Sequence, residues 1–203
     1  MGIIRLFEYL GTFMFAFSGA AVACEEKLDY FGVLFLAAVT AMGGGIIRDA
    51  VLNNGTPYAF KEYMPYLFIF IAVVLVIKFR NKIHDHMLLT AFDAVGLAAF
   101  TVSSGINAIN NNGSLLAVIF CGLAPAVGGG ILRDIIVNRK PYVLRKEIYA
   151  AVSILGSVYM YVLQNTLCNG TLIISAFLII FITRMFCVFK KANFPTAEKN
   201  IDI

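Results

Sequence analysis

The chain contains two copies of a short motif in which three glycines are followed by an arginine and an aspartate. The first copy reads Gly43-Gly44-Gly45-Ile46-Ile47-Arg48-Asp49, and 85 positions later the second reads Gly128-Gly129-Gly130-Ile131-Leu132-Arg133-Asp134. Each glycine inside a helix costs about 1 kcal/mol relative to alanine. Backbone loosened in this way within a bilayer must face protein or water rather than lipid. The motif therefore predicts two interrupted helices that line a path for something polar.

The same glycines have a simpler interpretation, because small residues also let membrane helices pack closely. Two triplets at matching positions of a duplicated chain favour the functional break over packing alone. Pro125, three residues before the second triplet, should add to the distortion of its helix.

Charged side chains also fall inside the apolar stretches, and they are Glu8, Arg48, Asp49, Asp93, Arg133 and Asp134. Each costs at least about 2.5–3.5 kcal/mol near the bilayer centre, so we expect them to form pairs or to line a wet cavity. Neighbouring residues on a helix point about 100° apart, so neither arginine should pair with the aspartate that follows it. Snorkelling of all six side chains towards the interfaces is the alternative.

Depth in the membrane suggests other partners for the two arginines. Glu8 and Arg48 lie near the outer ends of the first and second helices, and Asp93 and Arg133 occupy the corresponding inner positions. We therefore predict contacts between Glu8 and Arg48 and between Asp93 and Arg133. Asp49 and Asp134 would then lie nearer the pathway. Four acids against two arginines favour a cation as the permeating species.

Further polar lining is predicted on the first and fourth helices. These candidates are Ser18, Ser103 and Asn107. Serine in a membrane helix is also a common packing residue, which is the alternative role for Ser18 and Ser103.

The composition indicates a polytopic membrane protein. The chain of 203 residues is 60% hydrophobic and only 14% charged, whereas soluble proteins carry about 25% charged residues. Its four cysteines show no metal-ligand or disulfide spacing, so we expect neither a metal site nor a resident cofactor. No basic cluster is typical of nucleic-acid binding, and the expected partner is membrane lipid.

Seven apolar stretches are long enough to span a membrane as helices. We place them at 3–23, 30–52, 63–79, 87–109, 114–137, 147–165 and 171–189, and a cytoplasmic tail at 190–203. The chain is thus predicted to be all-α and to form a single membrane domain over 1–203.

The duplication extends beyond the glycines, since Glu8 matches Asp93 and Ser18 matches Ser103 at the same offset. The repeats are 3–79 and 87–165, and the seventh helix lies outside them. Each repeat has three spans, an odd number, so the second repeat must be inserted upside down. Inverted repeats are an architecture of transporters and channels, with the polar site near the midplane.

Basic residues predict the orientation of the chain. With the N-terminus outside, eleven lysines and arginines of the loops and tail lie in the cytoplasm, and only Arg5 and Lys61 lie outside. This distribution follows the positive-inside rule and predicts a cytoplasmic C-terminus in a cell (inner) membrane protein.

The doubled glycine-arginine-aspartate element in a chain of twice three helices plus one resembles the prokaryotic trimeric intracellular cation (TRIC) channel family, also labelled a glycine-transporter-type domain. The resemblance covers about residues 5–189. It implies a homotrimer with one pore in each protomer, bends at the glycine triplets of the second and fifth helices, and conduction of potassium or other monovalent cations such as sodium. Gly43–Gly45 and Gly128–Gly130 match the bending glycines of that family, and the Arg-Asp pairs match the charged residues that follow them.

Two other functions are alternatives to a passive cation channel. A secondary transporter of a small zwitterion such as glycine would use the same inverted repeat and a closed pocket with both charge signs. An intramembrane enzyme is disfavoured, because the sequence has no HExxH motif, no Ser/His pair at membrane depth and no GxGD-type aspartate pair.

Overall fold

The computed structural model describes residues 2–52, 55–79, 86–145, 148–190 and 192. Within these ranges all regular secondary structure is helical. Its helices are α1 (Gly2–Glu25), α2 (Tyr30–Val51), α3 (Met64–Phe79), α4 (His86–Asn110), α5 (Leu115–Ile136), the short α6 (Tyr142–Arg145), α7 (Ile148–Leu163) and α8 (Asn169–Phe189). A single 3-10 turn, Tyr58–Phe60, precedes α3. The seven long helices confirm the predicted all-α fold and its seven apolar segments.

The helices agree with the predicted spans to within two residues at each end. Five of them are long and apolar enough to cross a membrane, namely α1, α2, α4, α5 and α8. The apolar helices α3 and α7 have 16 residues each, or about 24 Å at 1.5 Å per residue. The chain is a multi-pass membrane protein. Most of the predicted tail and the loop around His84 lie outside the described residues.

Local signals explain where α2 and α5 begin. The carboxylate of Asp29 accepts a hydrogen bond from the backbone N–H of Gly32 at 2.7 Å, and Ser114 does the same for Ala117 at 3.3 Å. Both are capping residues that satisfy the free N–H groups of a first helical turn. The caps lie 85 positions apart, so the duplication includes the starts of the motif-bearing helices.

The packing follows the duplication. The first helices of the two repeats, α1 and α4, lie against each other, and so do the second helices, α2 and α5. The third helices pack on the first helices of their own repeats, α3 on α1 and α7 on α4, while α8 packs against α4 and α7. Thus α8 packs mainly on the second repeat, although its Phe177 also contacts Phe7 of α1, and it breaks the symmetry of the bundle.

The two repeats run in opposite directions through the bundle. The C-terminal half of α2 contacts the C-terminal half of α4, where Arg48 bonds to Ser104. The C-terminal half of α5 contacts the C-terminal half of α1, where Arg133 bonds to Ser18. The helices α1 and α4 run antiparallel, since Asn107 near the end of α4 bonds to Glu8 near the start of α1. The last residues of α2 and α5 therefore lie at opposite ends of α1, as the predicted inversion requires.

The predicted interruption of α2 and α5 is wrong. Both helices continue through their glycine triplets, α2 from Tyr30 to Val51 and α5 from Leu115 to Ile136, and α5 also continues past Pro125. Apolar packing on several sides of each helix supplies the stability that the glycines do not. The triplets act instead where the two helices meet.

Candidate functional site

Arg48 and Asp49 form an ion pair near the C-terminal end of α2. The Nε of Arg48 donates to Oδ1 of Asp49 at 2.8 Å, and its NH1 group donates to the hydroxyl of Ser104 at 2.6 Å. The second carboxylate oxygen of Asp49 accepts from the backbone N–H of Tyr58 at 2.8 Å. We call Arg48, Asp49 and Ser104 the Arg48 cluster. It joins α2, α4 and the turn before α3.

A second cluster lies near the C-terminal end of α5. Arg133 donates to Asp93 at 3.1 Å, to Asp134 at 2.9 Å and to the hydroxyl of Ser18 at 2.6 Å. The side chains of Arg133, Asp93 and Asp134 are all buried. We call these four residues the Arg133 cluster. The predicted contact between Asp93 and Arg133 is confirmed.

Each arginine binds the aspartate that follows it, so the prediction that these neighbours would not pair is wrong. The 100° angle between adjacent residues separates their Cα–Cβ directions, but an arginine side chain is long enough to bend back. It is the Nε nearest the helix, rather than only the terminal nitrogens, that meets the aspartate in both copies. Asp134 is therefore held against Arg133, whereas Asp49 also lines a cavity.

Glu8 and Arg48 do not form the predicted ion pair, so this prediction is also wrong. Among the described residues Glu8 instead accepts a hydrogen bond from the side-chain amide of Asn107 at 3.3 Å. The donors of Arg48 are directed to Asp49 and Ser104. Glu8 and Arg48 nevertheless line the same cavity, so no helix lies between them.

A polar cavity of about 540 Å³ opens beside the Arg48 cluster. Its wall includes Arg48, Asp49, Ser104, Asn107 and Cys121. A neighbouring cavity of about 220 Å³ is lined by Glu8, Arg48 and Asn107. We call these two spaces together the vestibule.

The vestibule continues inward towards the glycine triplets. A smaller cavity of about 50 Å³, lined by Glu8, Arg48 and Asp49, also touches Gly45 of α2 and Pro125 of α5. Two acids therefore face one arginine in this deepest part. No group of three or more metal-ligating side chains occurs among the described residues.

The rim of the vestibule carries its own ion pair. Glu62, in the loop before α3, lies 3.4 Å from Arg5 and accepts a hydrogen bond from the hydroxyl of Tyr9 at 2.8 Å. Lys61 lines the wider cavity and is exposed. Burial raises the pKa of the neighbouring Tyr58 phenol above its ordinary value, so this ring stays neutral.

The glycine triplets form the crossing point of α2 and α5. A Cβ added to Gly44 would meet backbone atoms of Pro125 at 2.7–2.8 Å, and one added to Gly129 would overlap the carbonyl oxygen of Thr40. A Cβ on Gly128 would lie 3.0 Å from the Cα of Gly44. The two backbones thus touch here, as in other close crossings of membrane helices. Gly43 faces the Leu132 side chain.

The last glycine of each triplet has a different environment. A Cβ on Gly45 would have no heavy atom within 4 Å, and this residue borders the smallest cavity. A Cβ on Gly130 would approach Arg133 at 3.8 Å and the hydroxyl of Tyr149 at 3.9 Å. These positions therefore leave room beside the two clusters.

Of the three polar residues predicted to line the path, Ser18 and Asn107 contact charged side chains, and Ser103 does not. Ser18 contacts Arg133, and Asn107 lies on the vestibule wall and binds Glu8. Ser103 is buried with its hydroxyl 3.5 Å from the carbonyl oxygen of Phe100, and its neighbour Ser104 is the residue that contacts Arg48. The 85-residue offset from Ser18 predicts Ser103. The only sequence signal for Ser104 is that it is a serine next to Ser103.

Known proteins share this arrangement. The sequence pattern of a family described as "Glycine transporter" matches residues 5–81 and 90–165. The chain belongs to this family. It is 36% identical over 159 residues to a "UPF0126 inner membrane protein" of Escherichia coli K12, covering 77% of the chain and 76% of that relative. A "UPF0126 membrane protein" of Vibrio cholerae is also 36% identical, over 77% of the chain and 66% of its own length.

Solved structures with the same fold carry the TRIC name. A structure described under "Structural basis for conductance through TRIC cation channels" superposes with a TM-score of 0.86 at 32% identity, covering 97% of the chain and 98% of its own. The "TRIC trimeric intracellular cation channel orthologue" from Rhodobacter sphaeroides gives a TM-score of 0.89 at 29% identity, over 95% and 100%. The resemblance to TRIC channels is confirmed. The family and these structures are transporters or channels, not enzymes, as predicted.

Proposed function

We propose that the chain is a channel for monovalent cations, including potassium, and that the ion path lies inside each protomer. The observation that carries this proposal is the vestibule. It places Glu8 and Asp49 opposite Arg48 at its deepest point, within a fold that cation channels share. An excess of carboxylate over guanidinium in the smallest cavity would attract cations and repel anions, whereas Arg5 and Lys61 lie on the wider spaces outside it.

The path in this proposal passes the crossing of α2 and α5, although the helices are not interrupted there. It begins at the vestibule, passes Gly45 and reaches the Arg133 cluster near the other end of the bundle. The buried ion pairs of that cluster would have to separate, or take up water, before an ion could leave. The conformation described here therefore corresponds to a closed channel.

We further propose a homotrimer in a cell (inner) membrane, with the N-terminus outside and the C-terminus cytoplasmic. The trimer is suggested by the word "trimeric" in the description of the Rhodobacter sphaeroides channel. The repeats 3–79 and 87–165, helix 171–189 and tail 190–203 would form one membrane domain. Lipid would contact the exposed apolar residues of α2, α3 and α8, among them Phe35, Phe70 and Phe186.

A transporter of a small zwitterion is the second candidate. It is favoured by the family description and by the side-by-side charges of Arg48 and Asp49, which could bind a carboxylate and an ammonium group. In this case the vestibule would be a substrate pocket rather than an ion path.

Purified protein in lipid bilayers distinguishes the two functions. In a potassium chloride gradient, a cation channel gives a current that reverses near the potassium equilibrium potential. A zwitterion transporter instead concentrates labelled glycine in proteoliposomes and gives no such current. Glycine accumulation without potassium current would overturn the channel proposal, and empty liposomes serve as the control for both measurements.

A further inference from the structure

Arg184 is a buried charge on α8 that none of the functions considered so far uses. Its side chain is 2% exposed, although many other residues of this helix face outward. A charged residue inside a membrane helix is costly and turns towards the protein interior. Arg184 is the only charged residue within α8, the helix that lies outside the duplication.

The guanidinium of Arg184 lies on the ring of Tyr149 in α7. Its Cζ is 4.9 Å from the ring centroid, within the range of a cation–π contact, which is strongest where both groups are desolvated. Tyr149 is 3% exposed; its hydroxyl donates to the backbone carbonyl of Ala126 at 3.4 Å and lies beside the Asp93 carboxylate. The same hydroxyl lies beside Gly130, where Arg133 also approaches. Arg184 thus reaches the Arg133 cluster through one aromatic ring.

Arg184 balances the charge of that cluster. Asp93 and Asp134 carry two negative charges against the single positive charge of Arg133, and Arg184 supplies the second positive charge. In the smallest cavity, by contrast, Glu8 and Asp49 share only Arg48, and the further cations Arg5 and Lys61 line the wider spaces outside it. The duplication gives no counterpart to α8, so the second positive charge beside the Arg133 cluster comes from this helix.

This charge balance matches the different exposure of the two sites. The Arg48 cluster opens on the vestibule, whereas the Arg133 cluster is buried, with Arg133 only 7% exposed. An uncompensated carboxylate in a low-dielectric site draws in water or a cation, while a neutral set of ion pairs can remain dry. A neutral cluster is therefore able to keep this end of the bundle closed.

We propose that Arg184 is a positioning residue that holds the Arg133 cluster neutral and closed through Tyr149. It acts on the cluster and does not itself contact the permeating ion. The seventh long helix then has a role that the inverted repeat cannot supply: it makes one mouth of the path more difficult to open. This inference depends on the proposed channel function.

The test is single-channel recording of Arg184→Met and Arg184→Lys beside the unmodified chain. Methionine keeps an unbranched, apolar stem but removes the charge, which leaves one carboxylate uncompensated. We expect its open probability to rise about fivefold or more, the lower range of coupling between two sites. Lysine retains the charge and the contact with the ring, so its open probability should stay near that of the unmodified chain.

Tyr149→Phe provides a second test, which also serves if Arg184→Met does not fold. Phenylalanine keeps the ring below Arg184 and removes only the hydroxyl that reaches Asp93, so we expect open probability to rise as well. An unchanged or lower open probability in both Arg184→Met and Tyr149→Phe would overturn the inference, as would an equal change in Arg184→Lys. If the unmodified chain gives no cation current, the proposed function fails instead.

Discussion

Each of the two arginines of the repeated motif is fixed by an aspartate of its own helix and a serine of the other repeat. Arg48 binds Asp49 and Ser104, and Arg133 binds Asp134 and Ser18. What differs is the additional acid. Asp93 completes the buried cluster, while Glu8 stays with Asn107 on the vestibule wall. In the proposed channel, the carboxylate of Glu8 is therefore the charge best placed to act on a passing ion.

Replacement of Glu8 by glutamine tests this role of the side chain. A unit charge 4 Å from an ion contributes about 1–4 kcal/mol at effective dielectric constants between 80 and 20. We therefore expect the potassium-to-chloride permeability ratio of Glu8→Gln, measured from the reversal potential, to fall about fivefold or more. The amide can still form a hydrogen bond with Asn107, so the fold should persist.

Glu26→Gln is the matched control for that experiment. Glu26 pairs with Arg139 in the loops at the other end of the bundle, and its side chain is partly exposed. Loss of this charge should leave the permeability ratio unchanged. An equal decrease in both variants would show that surface charge, rather than the vestibule, determines selectivity.

At the scale of helices, the closest contact is the crossing of α2 and α5. Gly129 faces the carbonyl oxygen of Thr40 so closely that an added methyl group would overlap it. Backbone cannot move aside as a flexible side chain can. The triplets therefore fix the distance between the two helices that carry the motif, and the clusters at either end depend on that distance.

Gly129→Ala should destabilise the protein in detergent by about 1–3 kcal/mol or more, the usual cost of overpacking. A thermal unfolding assay would detect this as a lower Tm. Gly45→Ala is the control, because no heavy atom lies within 4 Å of the added Cβ and alanine favours a helix by about 1 kcal/mol. Its Tm should be equal or higher. A Tm for Gly129→Ala that matches the control would contradict the crossing.

The helices were predictable from the sequence, but the contacts between side chains were only partly so. Long apolar stretches and capping residues such as Asp29 and Ser114 mark the helices locally. Whether a glycine triplet breaks a helix or brings two helices together depends on the partner helix, which the sequence does not identify. In the same way, the reach of Arg48 back to Asp49 depends on rotamers and not on helix angles.

Arg184 shows a second limit of sequence reasoning. The inverted repeat directs attention to residues that have a counterpart at the 85-residue offset, and Arg184 has none. Its burial against Tyr149 could be known only once α7 and α8 were seen side by side. The sequence shows that Arg184 is a charged residue in an apolar helix outside the duplication. Only the structure shows which cluster it lies beside.

For the whole molecule, the native cysteines offer a test of the proposed orientation. Cys168 is exposed before α8, where a hydrogen bond with Thr171 at 3.0 Å lowers the pKa of its thiol. A larger thiolate fraction near neutral pH makes the residue more reactive. With the N-terminus outside, this loop is extracellular. A membrane-impermeant thiol reagent added to intact cells should therefore label the chain.

The control for labelling is Cys168→Ser, which should lose most of the external signal. Cys24 lies near the C-terminal end of α1 and Cys187 near the C-terminal end of α8. In the proposed orientation both are on the cytoplasmic side, and both are partly buried. They should react only after the cells are permeabilised. Labelling of Cys168→Ser in intact cells, or of Cys168 only after permeabilisation, would reverse the proposed orientation.

The central claim is that the vestibule beside Arg48 is the ion path, and a charged label placed on its wall tests this most directly. In a chain whose four native cysteines are replaced by serine, Asn107→Cys provides one thiol in the vestibule. During potassium current recordings, a positively charged methanethiosulfonate reagent should reduce the current strongly. A negatively charged reagent of similar size should reduce it far less or increase it. Complete labelling by both reagents with no change in current would contradict the account.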